Sequence, residues 1–364
     1  MNVLFVFILP SGGVDTLNRI RYKALLPLGI RSHFLYFQHG SGSSGYAPEI
    51  PVFYAPDPPS VGHILAHYSF DCIVVTSFFL HLALFRQLGY DKPLLYEIQG
   101  FGPPNHAREN LSAARPYVNQ FANAILYPGT PYIGLLLQEL FPLMPRFAFP
   151  NPFDPQPYDR RSFAYPPAAP LAYRPIVWIG RLEDNKNWRD FLRIGAEVVR
   201  HSPNVMLWMF TDPSLAEPGE NEALAQWTER LGLGPYLLHH HNVANELMPY
   251  YYELIASSGG VICMTSKAEG APYVALEALS GGCPVVTSNS DGVGASILDE
   301  VTGLYYVHGD IEGAGRQIQR LLSDGNLRKK LVAAGKKHVR REFSMEKYAV
   351  RFSDLLFAVG ARPC

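Results

Sequence analysis

The sequence predicts an α/β fold of two Rossmann-like, doubly wound domains that face each other across a cleft. In both halves of the chain, short apolar runs alternate with longer segments of helical spacing. A proline-rich stretch without either period separates the halves, and 364 residues suit two domains better than one. Alternation of this kind is typical of a parallel sheet with helices on both faces.

The first half opens with the apolar run VLFVFIL, and the runs HFLYF, CIVVTS, LLYEIQ and AILY follow. Each is short and rich in β-branched or aromatic residues, which predicts buried strands. VLFVFIL has no basic segment before it and continues into PSGG. We therefore interpret it as the first strand and not as a signal peptide or a membrane span.

The linker prediction rests on FPNPFDPQPYDRRSFAYPPAAP, residues 149–170. Strand-like runs resume after it with PIVWIG, VMLWMF, YLLHHH, GVICMTS, CPVVTS and GLYYV. We expect an N-terminal domain over residues 1–165, a second domain over 166–341, and a last amphipathic helix over 342–364 that crosses back to the first domain. Neither half contains a G-x-G-x-x-G fingerprint, which disfavours a dinucleotide oxidoreductase.

Composition excludes some classes of protein. The formal net charge is −1 and the pI is near 6.9, so nothing favours a nucleic acid partner. The four cysteines, Cys72, Cys263, Cys283 and Cys364, show no metal-site spacing. Cys72 and Cys263 fall in strand-like runs, which predicts buried thiols, and the pattern favours a reducing compartment and hence a cytoplasmic location.

The most informative stretch is SKAEGAPYVALEALSGGCPVV, residues 266–286. It follows a predicted strand, so Glu269 and Gly270 fall in the turn at the strand's carboxyl end, where open α/β sheets bind ligands. Pro272 suits the first turn of the helix that follows, and Gly281 and Gly282 suit its end. A helix N-terminus there favours an anion, although an acidic helix cap would explain Glu269 equally well.

Two further features lie beside predicted strand ends. Arg181 and Lys186 stand in the loop after PIVWIG, and two fixed cations suit a diphosphate. Surface pairs with Glu183 and Asp184 are the alternative. Gly12 and Gly13 follow the first strand and would let the backbone approach a ligand closely, although a plain strand-to-helix turn also fits.

In this order, the GG pair, GRLEDNK and E-G-A-P-Y-V-A-L-E-A-L-S-G-G-C-P-V-V resemble family 4 of the retaining glycosyltransferases, which have the GT-B fold. The resemblance covers nearly the whole chain, and the E-x7-E element is its most specific part. It implies a hexosyltransferase that uses a nucleotide-sugar, with UDP the commonest nucleotide, in polysaccharide or glycoconjugate biosynthesis.

The resemblance assigns roles to individual residues. It implies that Arg181 and Lys186 bind the donor diphosphate and stabilise the leaving phosphate, that Glu269 contacts donor-sugar hydroxyls, and that Glu277 binds the ribose. Amides for the sugar and phosphates are implied at Gly270, Ala271 and Tyr273, a close approach to the phosphate at Gly12 and Gly13, and a nucleobase contact at Val243 and Leu247.

One position departs from the family pattern. Where the family commonly has a histidine at a late strand end of the first domain, this chain has LLYEIQGFGPPNHAREN. Gln99 is the candidate there, Glu97 is expected on the same side, and His106 lies further along. Gln99 could donate and accept hydrogen bonds but could not act as a base. A glutamine with a purely structural role remains the alternative.

The acceptor is expected on the first domain, as a glycan or a lipid-linked sugar. The loops QHGSGSSGYAPEI and QGFGPPNHAREN are candidates, and so is a peripheral contact of Arg19 and Lys23 with lipid headgroups at the inner membrane face. A solvated helix face is the favoured explanation of that pair.

No metal or other cofactor is expected, because the chain has no D-x-D run and the adjacent histidines 239–241 would alternate faces on a strand. Two other functions stay open. One is a nucleotide-sugar epimerase on the same fold, and the other is a catalytically silent partner subunit that binds a nucleotide-sugar.

Overall fold

The computed structural model describes residues 1–40, 42–43, 46–102, 104–159 and 168–362. Its contacts divide the chain into two compact units. Unit 1 comprises Met1–Asp154 with Glu342–Cys364, and unit 2 comprises Pro155–Arg341. Unit 2 thus begins upstream of the expected boundary at residues 165 and 166, which itself falls outside the described residues.

Unit 1 is built on a seven-stranded sheet in which every pair of neighbouring strands is parallel. The strand order is β3-β2-β1-β4-β5-β6-β7. The strands are β1 (Asn2–Phe7), β2 (Arg31–Tyr36), β3 (Val52–Tyr54), β4 (Cys72–Thr76), β5 (Leu94–Glu97), β6 (Ala124–Tyr127) and β7 (Arg146–Ala148). The central strands are buried on both faces, as their continuous apolar runs predict.

Five helices connect these strands, and one more returns from the end of the chain. They are α1 (Gly12–Leu25), α2 (Pro58–His67), α3 (Leu80–Gln87), α4 (Pro104–Phe121), α5 (Pro131–Leu140) and α12 (Met345–Ala358). The last of them packs Tyr348 and Phe352 into the core beside Phe5, with the Phe5 and Phe352 ring centroids 5.6 Å apart. Apolar burial therefore anchors the chain's end in unit 1.

Three elements of unit 1 differ from the sequence expectation. The edge strands β3 and β7 have three residues each, too few for any periodic pattern to indicate them. Helix α4 occupies much of what was expected as a loop at residues 99–110, and it contains Pro116 in its interior. That proline interrupts the helical signal, and a buried stripe of Ala107, Leu111, Ala114 and Val118 holds the helix in place.

Unit 2 is built on a six-stranded parallel sheet of order β10-β9-β8-β11-β12-β13. All the strands expected in this half are present: β8 (Arg174–Ile179), β9 (Val205–Thr211), β10 (Leu237–His241), β11 (Val261–Met264), β12 (Val285–Ser288) and β13 (Leu304–Tyr306). The helices are α6 (Trp188–His201), α7 (Glu220–Arg230), α8 (Met248–Ser257), α9 (Tyr273–Gly281), α10 (Ile311–Ser323) and α11 (Gly325–Glu342).

Each sheet has one point at which the strand order reverses. In unit 1 it lies between β1 and β4, and in unit 2 it lies between β8 and β11. The loops that leave two such strands run in opposite directions, which opens a crevice at their carboxyl ends. In unit 2 that crevice lies between the loop with Lys186 and the loop with Glu269.

Each unit has its own apolar core, which buries the faces of its sheet. Cys72, Cys263 and Cys283 are free, buried thiols, and Cys364 lies outside the described residues. Burial raises the pKa of the Cys263 and Cys283 thiols to about 12. Within the described part of the chain, no helix combines the length and the apolar character needed to cross a bilayer.

Candidate functional site

The crevice of unit 2 is formed by two loops that hydrogen bonds tie together. The backbone N–H of Lys267 donates to the carbonyl of Asn185 (2.8 Å), and the Asn185 amide donates to the carbonyl of Ala268 (3.0 Å). The Thr265 hydroxyl donates to the carbonyl of Lys186 (2.9 Å) and accepts from the Trp178 indole (3.0 Å). These bonds fix the positions of both loops before any ligand arrives.

Lys186 and Glu269 meet in this crevice. The Nζ atom of Lys186 lies 2.7 Å from Oε1 of Glu269, and the two side chains are 24% and 8% exposed. The lysine thus remains open to solvent while the carboxylate behind it is nearly buried. An ammonium has three N–H donors, so donors beyond the one facing Glu269 can point into the crevice. The structure therefore brings together one predicted cation and one predicted carboxylate.

Arg181 lies in the same loop but has a different partner. Its guanidinium contacts the Glu183 carboxylate at 2.9 and 3.2 Å, and its side chain is 57% exposed. Burial raises the pKa of Glu183, and the charges of Arg181 and Lys186 oppose that rise. Asp184 instead pairs with Lys267 at 2.6 Å. Arg181 therefore forms the surface pair with Glu183 that the alternative interpretation expected. Asp184 pairs with Lys267 and not with Arg181 or Lys186.

The chain continues from Glu269 through Gly270 and Ala271 into α9. The helix begins at Tyr273, and Pro272 is its N-cap with an extended backbone, one position earlier than a proline in the first turn. The Glu269 backbone N–H donates to the carbonyl of Asp291 (2.8 Å), which fixes the turn from its other side. The expected end of α9 is confirmed, since Gly282 adopts the left-handed conformation with φ of 80°.

Glu277 has surroundings quite different from those of Glu269. Its Oε2 accepts a hydrogen bond of 2.9 Å from the Tyr252 hydroxyl, and the Tyr158 hydroxyl also binds the carboxylate. Burial raises the pKa of Glu277, and both tyrosine hydrogen bonds oppose that rise. Sequence reasoning missed both tyrosines, because Tyr158 comes from the predicted linker and Tyr252 from another helix.

Val243 and Leu247 lie in the loop between β10 and α8, and both are partly exposed. Strand β10 forms one edge of the sheet, two strands from β8, so this loop lies to one side of the Lys186 crevice. The neighbouring histidines alternate faces as expected. His239 and His241 stack at 5.7 Å, whereas His240 packs against Phe210 at 4.5 Å on the other face.

Glu97 in unit 1 is not available to a substrate, which corrects the sequence expectation. It is 1% exposed and forms an ion pair with Arg21, itself fully buried, with an Nη2–Oε1 distance of 2.6 Å. The Thr76 hydroxyl donates to its other oxygen at 2.7 Å. The carboxylate thus holds α1 against β4 and β5. The alternation of a strand had suggested that Glu97 shares a side with Gln99.

Gln99 forms a reciprocal amide pair with Asn151. The Asn151 amide donates to Oε1 of Gln99 at 2.6 Å, and Nε2 of Gln99 donates back at 3.3 Å. Asn151 is buried and Gln99 is partly exposed. The sequence had suggested that His106 lies in a loop. It instead lies exposed on the first turns of α4. The amide pair fits a structural role for Gln99. The Gln99 side chain nevertheless remains partly exposed to solvent.

Gly12 and Gly13 begin α1 at the carboxyl end of β1, and both are exposed. Gly12 has φ of 60°, a conformation in which a side chain would be strained. Ser11, the N-cap residue, makes no side-chain hydrogen bond to the helix. The glycine at position 12 is therefore required by the turn itself, whether or not a ligand approaches it.

Arg19 and Lys23 are engaged within unit 1. Arg19 pairs with Asp15 (2.9 Å), donates to the carbonyl of Gly42 (2.7 Å) and lies 4.1 Å over the Tyr46 ring. Lys23 pairs with Asp154 at 3.1 Å. Arg19 thus fixes described parts of the candidate acceptor loop 38–50, of which residues 41, 44 and 45 lie outside the description. Neither contact supports the expected role in binding headgroups.

Aromatic rings cluster beyond the carboxyl ends of β1, β2 and β4. His81 stacks on Phe37 at 4.0 Å and lies 6.0 Å from Phe78, which in turn contacts Phe7 at 6.4 Å. Phe78 is 42% exposed. Burial among these rings lowers the pKa of His81 to about 4, from an unperturbed 6.5.

The depressed pKa of His81 predicts a pH dependence of stability. Between pH 6.5 and pH 4 the His81 imidazole binds a proton more strongly in the unfolded chain than in the folded one. The contribution of neutral His81 to the free energy of unfolding is therefore complete above pH 6.5 and is lost as the pH falls towards 4. His81→Phe keeps the ring stack but cannot bind the proton. On acidification, we expect its free energy of unfolding to fall by about 1–2 kcal/mol less than that of the wild type. Urea denaturation at several pH values would measure this, with His106→Phe as the control. Parallel slopes for wild type and His81→Phe would contradict the assignment.

A cavity of about 410 Å³ lies at the other end of α9, away from Glu269. It is lined by polar groups on α8, α9, α11 and the start of unit 2, among them Tyr158, Asp159, Glu253, Lys336 and Arg340. Because the cavity lies at the end of α9 and Glu269 precedes its start, the Lys186 crevice lies at a different edge of the sheet from this cavity.

Across the described residues, no group of three or more histidine, cysteine or acidic side chains is arranged to hold a metal ion.

Comparison with known proteins assigns this architecture. Residues 167–338 match the family model described as "Glycosyl transferases group 1". The lipopolysaccharide core biosynthesis glycosyltransferase LpsE of Rhizobium meliloti is 26% identical over 198 residues, which cover 54% of this chain and 53% of LpsE. The uncharacterized glycosyltransferase MJ1607 of Methanocaldococcus jannaschii is 33% identical over 176 residues, 48% of this chain and 42% of that protein. The chain spans about half the length of the curated relatives it matches.

Solved structures match over almost the whole chain. HepE of Anabaena, in complex with UDP and glucose, has a TM-score of 0.80 at 18% identity and covers 98% of this chain and 100% of its own. Sucrose-phosphate synthase of Thermosynechococcus elongatus has a TM-score of 0.79 at 18% identity, covering 99% and 100%. The chain has the GT-B fold, and its second unit contains the region that the group 1 glycosyl transferase model describes.

Proposed function

We propose that this chain is a metal-independent, retaining glycosyltransferase of family 4 that transfers a hexose from a UDP- or GDP-hexose to a sugar or a lipid-linked glycan. The observation that carries the proposal is the Lys186–Glu269 pair, 2.7 Å apart at the point where the unit 2 sheet reverses its strand order. Relatives support the substrate class, since HepE was solved with UDP-glucose and LpsE is named for lipopolysaccharide core biosynthesis.

The donor would lie along the carboxyl ends of β8 and β11. Lys186 and Arg181 would bind the diphosphate, with Glu269 orienting the lysine and accepting hydrogen bonds from donor-sugar hydroxyls. Amides of Gly270, Ala271 and Tyr273 at the start of α9 would add the positive end of a helix dipole. Glu277 would receive the ribose hydroxyls, and its position between two tyrosine hydroxyls limits the rotamers it can adopt.

The chemistry follows from where charge develops. Cleavage of the anomeric C–O bond leaves negative charge on the departing diphosphate and oxocarbenium character on the sugar. Lys186, held in the crevice, would stabilise that charge with little reorganisation, and Arg181 would add a second cation from the same loop. In this proposal the two cations serve in place of a divalent ion. Retention would follow from attack on the face that the diphosphate leaves, with a donor phosphate oxygen accepting the acceptor's proton. No protein nucleophile is needed.

The first test is a thermal-shift screen of nucleoside diphosphates and nucleotide-sugars with EDTA present. A ligand at about one hundred times its Kd should stabilise the wild type by about 2.7 kcal/mol. Lys186→Ala should lose most of that shift, whereas Lys267→Ala, which changes a neighbouring lysine paired with Asp184, should keep it. A shift that appears only with divalent metal would overturn the metal-free donor site.

Binding must then be joined to transfer. With the stabilising nucleotide-sugar and a panel of glycan acceptors, we expect an elongated acceptor and free nucleoside diphosphate, with the anomeric configuration of the donor retained in the product. Donor binding without transfer to any acceptor would instead favour the silent partner subunit. Interconversion of two nucleotide-sugars without release of nucleotide would identify an epimerase.

A further inference from the structure

Helix α11 carries a positively charged face that the proposed reaction does not use. Six cations lie on it: Lys329, Lys330, Lys336, Lys337, Arg340 and Arg341. At 100° per residue they fall within one arc, opposite the buried Leu331, Gly335, His338 and Val339. From the first cation to the last, this cationic face is about 18 Å long. Arg328 lies outside it and donates to the carbonyl of Gly260 at 3.0 Å.

The cationic face is accessible, and most of its charges form no close ion pair. Lys329, Lys330, Lys337 and Arg340 are exposed, and Lys336 is partly exposed. Within the described ranges, none of these five forms a salt bridge, whereas exposed arginines on α6 and α10 do. The helix itself contains no acidic residue before Glu342. This concentration of charge stands in a chain whose formal net charge is −1.

Helix stability does not explain the arrangement. Cations in the last turn complement the helix dipole, which accounts for Arg340 and Arg341. Lys329 and Lys330 lie in the second turn, where the helix dipole does not favour a cation. The spacing of 336 with 340, and of 337 with 341, also places like charges four residues apart, which weakens a helix slightly. The face therefore carries a small energetic penalty that an external anionic partner would offset.

We propose that this cationic face of α11 docks the protein on an anionic phospholipid surface. Four of its six cations are lysines, whose flexible, compact charges suit an extended anionic plane better than a specific fork-shaped contact. No aromatic ring is interleaved among them, which disfavours single-stranded nucleic acid, where bases stack on such rings. The cavity beside Lys336 and Arg340 also contains Asp159 and Glu253, so the contact rests on the exposed stripe and not on that cavity.

The inference is independent of the donor site, and vesicle flotation of the full chain tests it. Vesicles of phosphatidylcholine alone should not bind, whereas vesicles containing about one third phosphatidylglycerol should, with binding lost as salt approaches about 1 M. The triple variant Lys329→Gln, Lys330→Gln, Lys337→Gln should partition about one hundred-fold more weakly, since each cation near such a surface contributes about a five-fold change.

A matched control removes equal charge elsewhere on unit 2. Arg200→Gln, Arg230→Gln and Arg316→Gln change exposed cations on α6, α7 and α10 and should leave vesicle binding within about two-fold of wild type. Melting curves establish that both triple variants fold. Equal loss in the two variants would reduce the effect to net charge and overturn the proposal. So would binding to a nucleic acid duplex with no binding to anionic vesicles.

Discussion

Replacing Lys186 with alanine should lower kcat for sugar transfer by about 10²- to 10³-fold, the usual effect of removing one group that stabilises charge in a transition state. Lys186 is the cation held 2.7 Å from Glu269 at the sheet reversal of unit 2, and it keeps 24% of its side chain exposed to the crevice. Its ammonium would neutralise the leaving diphosphate. The same change should weaken nucleoside diphosphate binding less than it lowers kcat, because the charge grows as the bond breaks.

The control for this prediction lies in the adjoining loop. Lys267→Ala removes an equal charge, but that lysine is committed to Asp184 at 2.6 Å and should change kcat by less than about three-fold. Lys186→Arg should recover little, since a planar fork does not reproduce a point charge against Glu269. Steady-state transfer kinetics on all three variants decide the matter. Comparable losses for Lys186→Ala and Lys267→Ala would contradict the assigned role.

Arg21→Met should lower the free energy of unfolding of unit 1 by about 3–5 kcal/mol, because it leaves the Glu97 carboxylate buried without its partner. Both side chains are essentially inaccessible, and the guanidinium also lies 4.3 Å over the Phe5 ring. All four tryptophans lie in unit 2, at positions 178, 188, 208 and 227. We therefore expect the loss in far-UV circular dichroism melts, with little change in tryptophan fluorescence melts.

Two comparisons separate this effect from simple loss of charge. Lys23→Met breaks an ion pair whose lysine side chain is 60% exposed, and it should cost less than about 1 kcal/mol. Adding Glu97→Gln to Arg21→Met removes the stranded charge and should restore at least half of the lost stability. If the double variant melts no higher than the single one, the loss comes from packing around Arg21 and not from the unpaired carboxylate.

The sequence alone was sufficient for the fold class, because period and order carry that information. All strands of unit 2 were predicted, since most are buried apolar runs bounded by turn residues; the edge strand β10, LLHHH, is mostly exposed. In unit 1 the pattern failed only where it was too short or was interrupted, at the three-residue edge strands and at α4 with its internal proline. The GT-B expectation also followed from the order of motifs, and structural similarity confirms it.

The candidate site was predictable in part. A strand end followed by a turn and a helix fixes where Lys186 and Glu269 lie along their own elements, and the parallel sheet then makes their loops neighbours. The partners of the other candidates were not predictable, because they depend on residues distant in sequence. Glu277 meets Tyr252 and Tyr158, and Gln99 meets Asn151 across 52 positions.

The charged residues show this difference most clearly. The sequence by itself determined that Glu97 ends an apolar strand and that Arg19 and Lys23 share one helix face, and both facts suggested contact with a ligand or a lipid. Only the tertiary structure decided that Glu97 is neutralised by buried Arg21 and that Arg19 and Lys23 have carboxylate partners. Local periodicity fixes the side of an element on which a charge lies, whereas long-range packing decides whether a counter-charge meets it there.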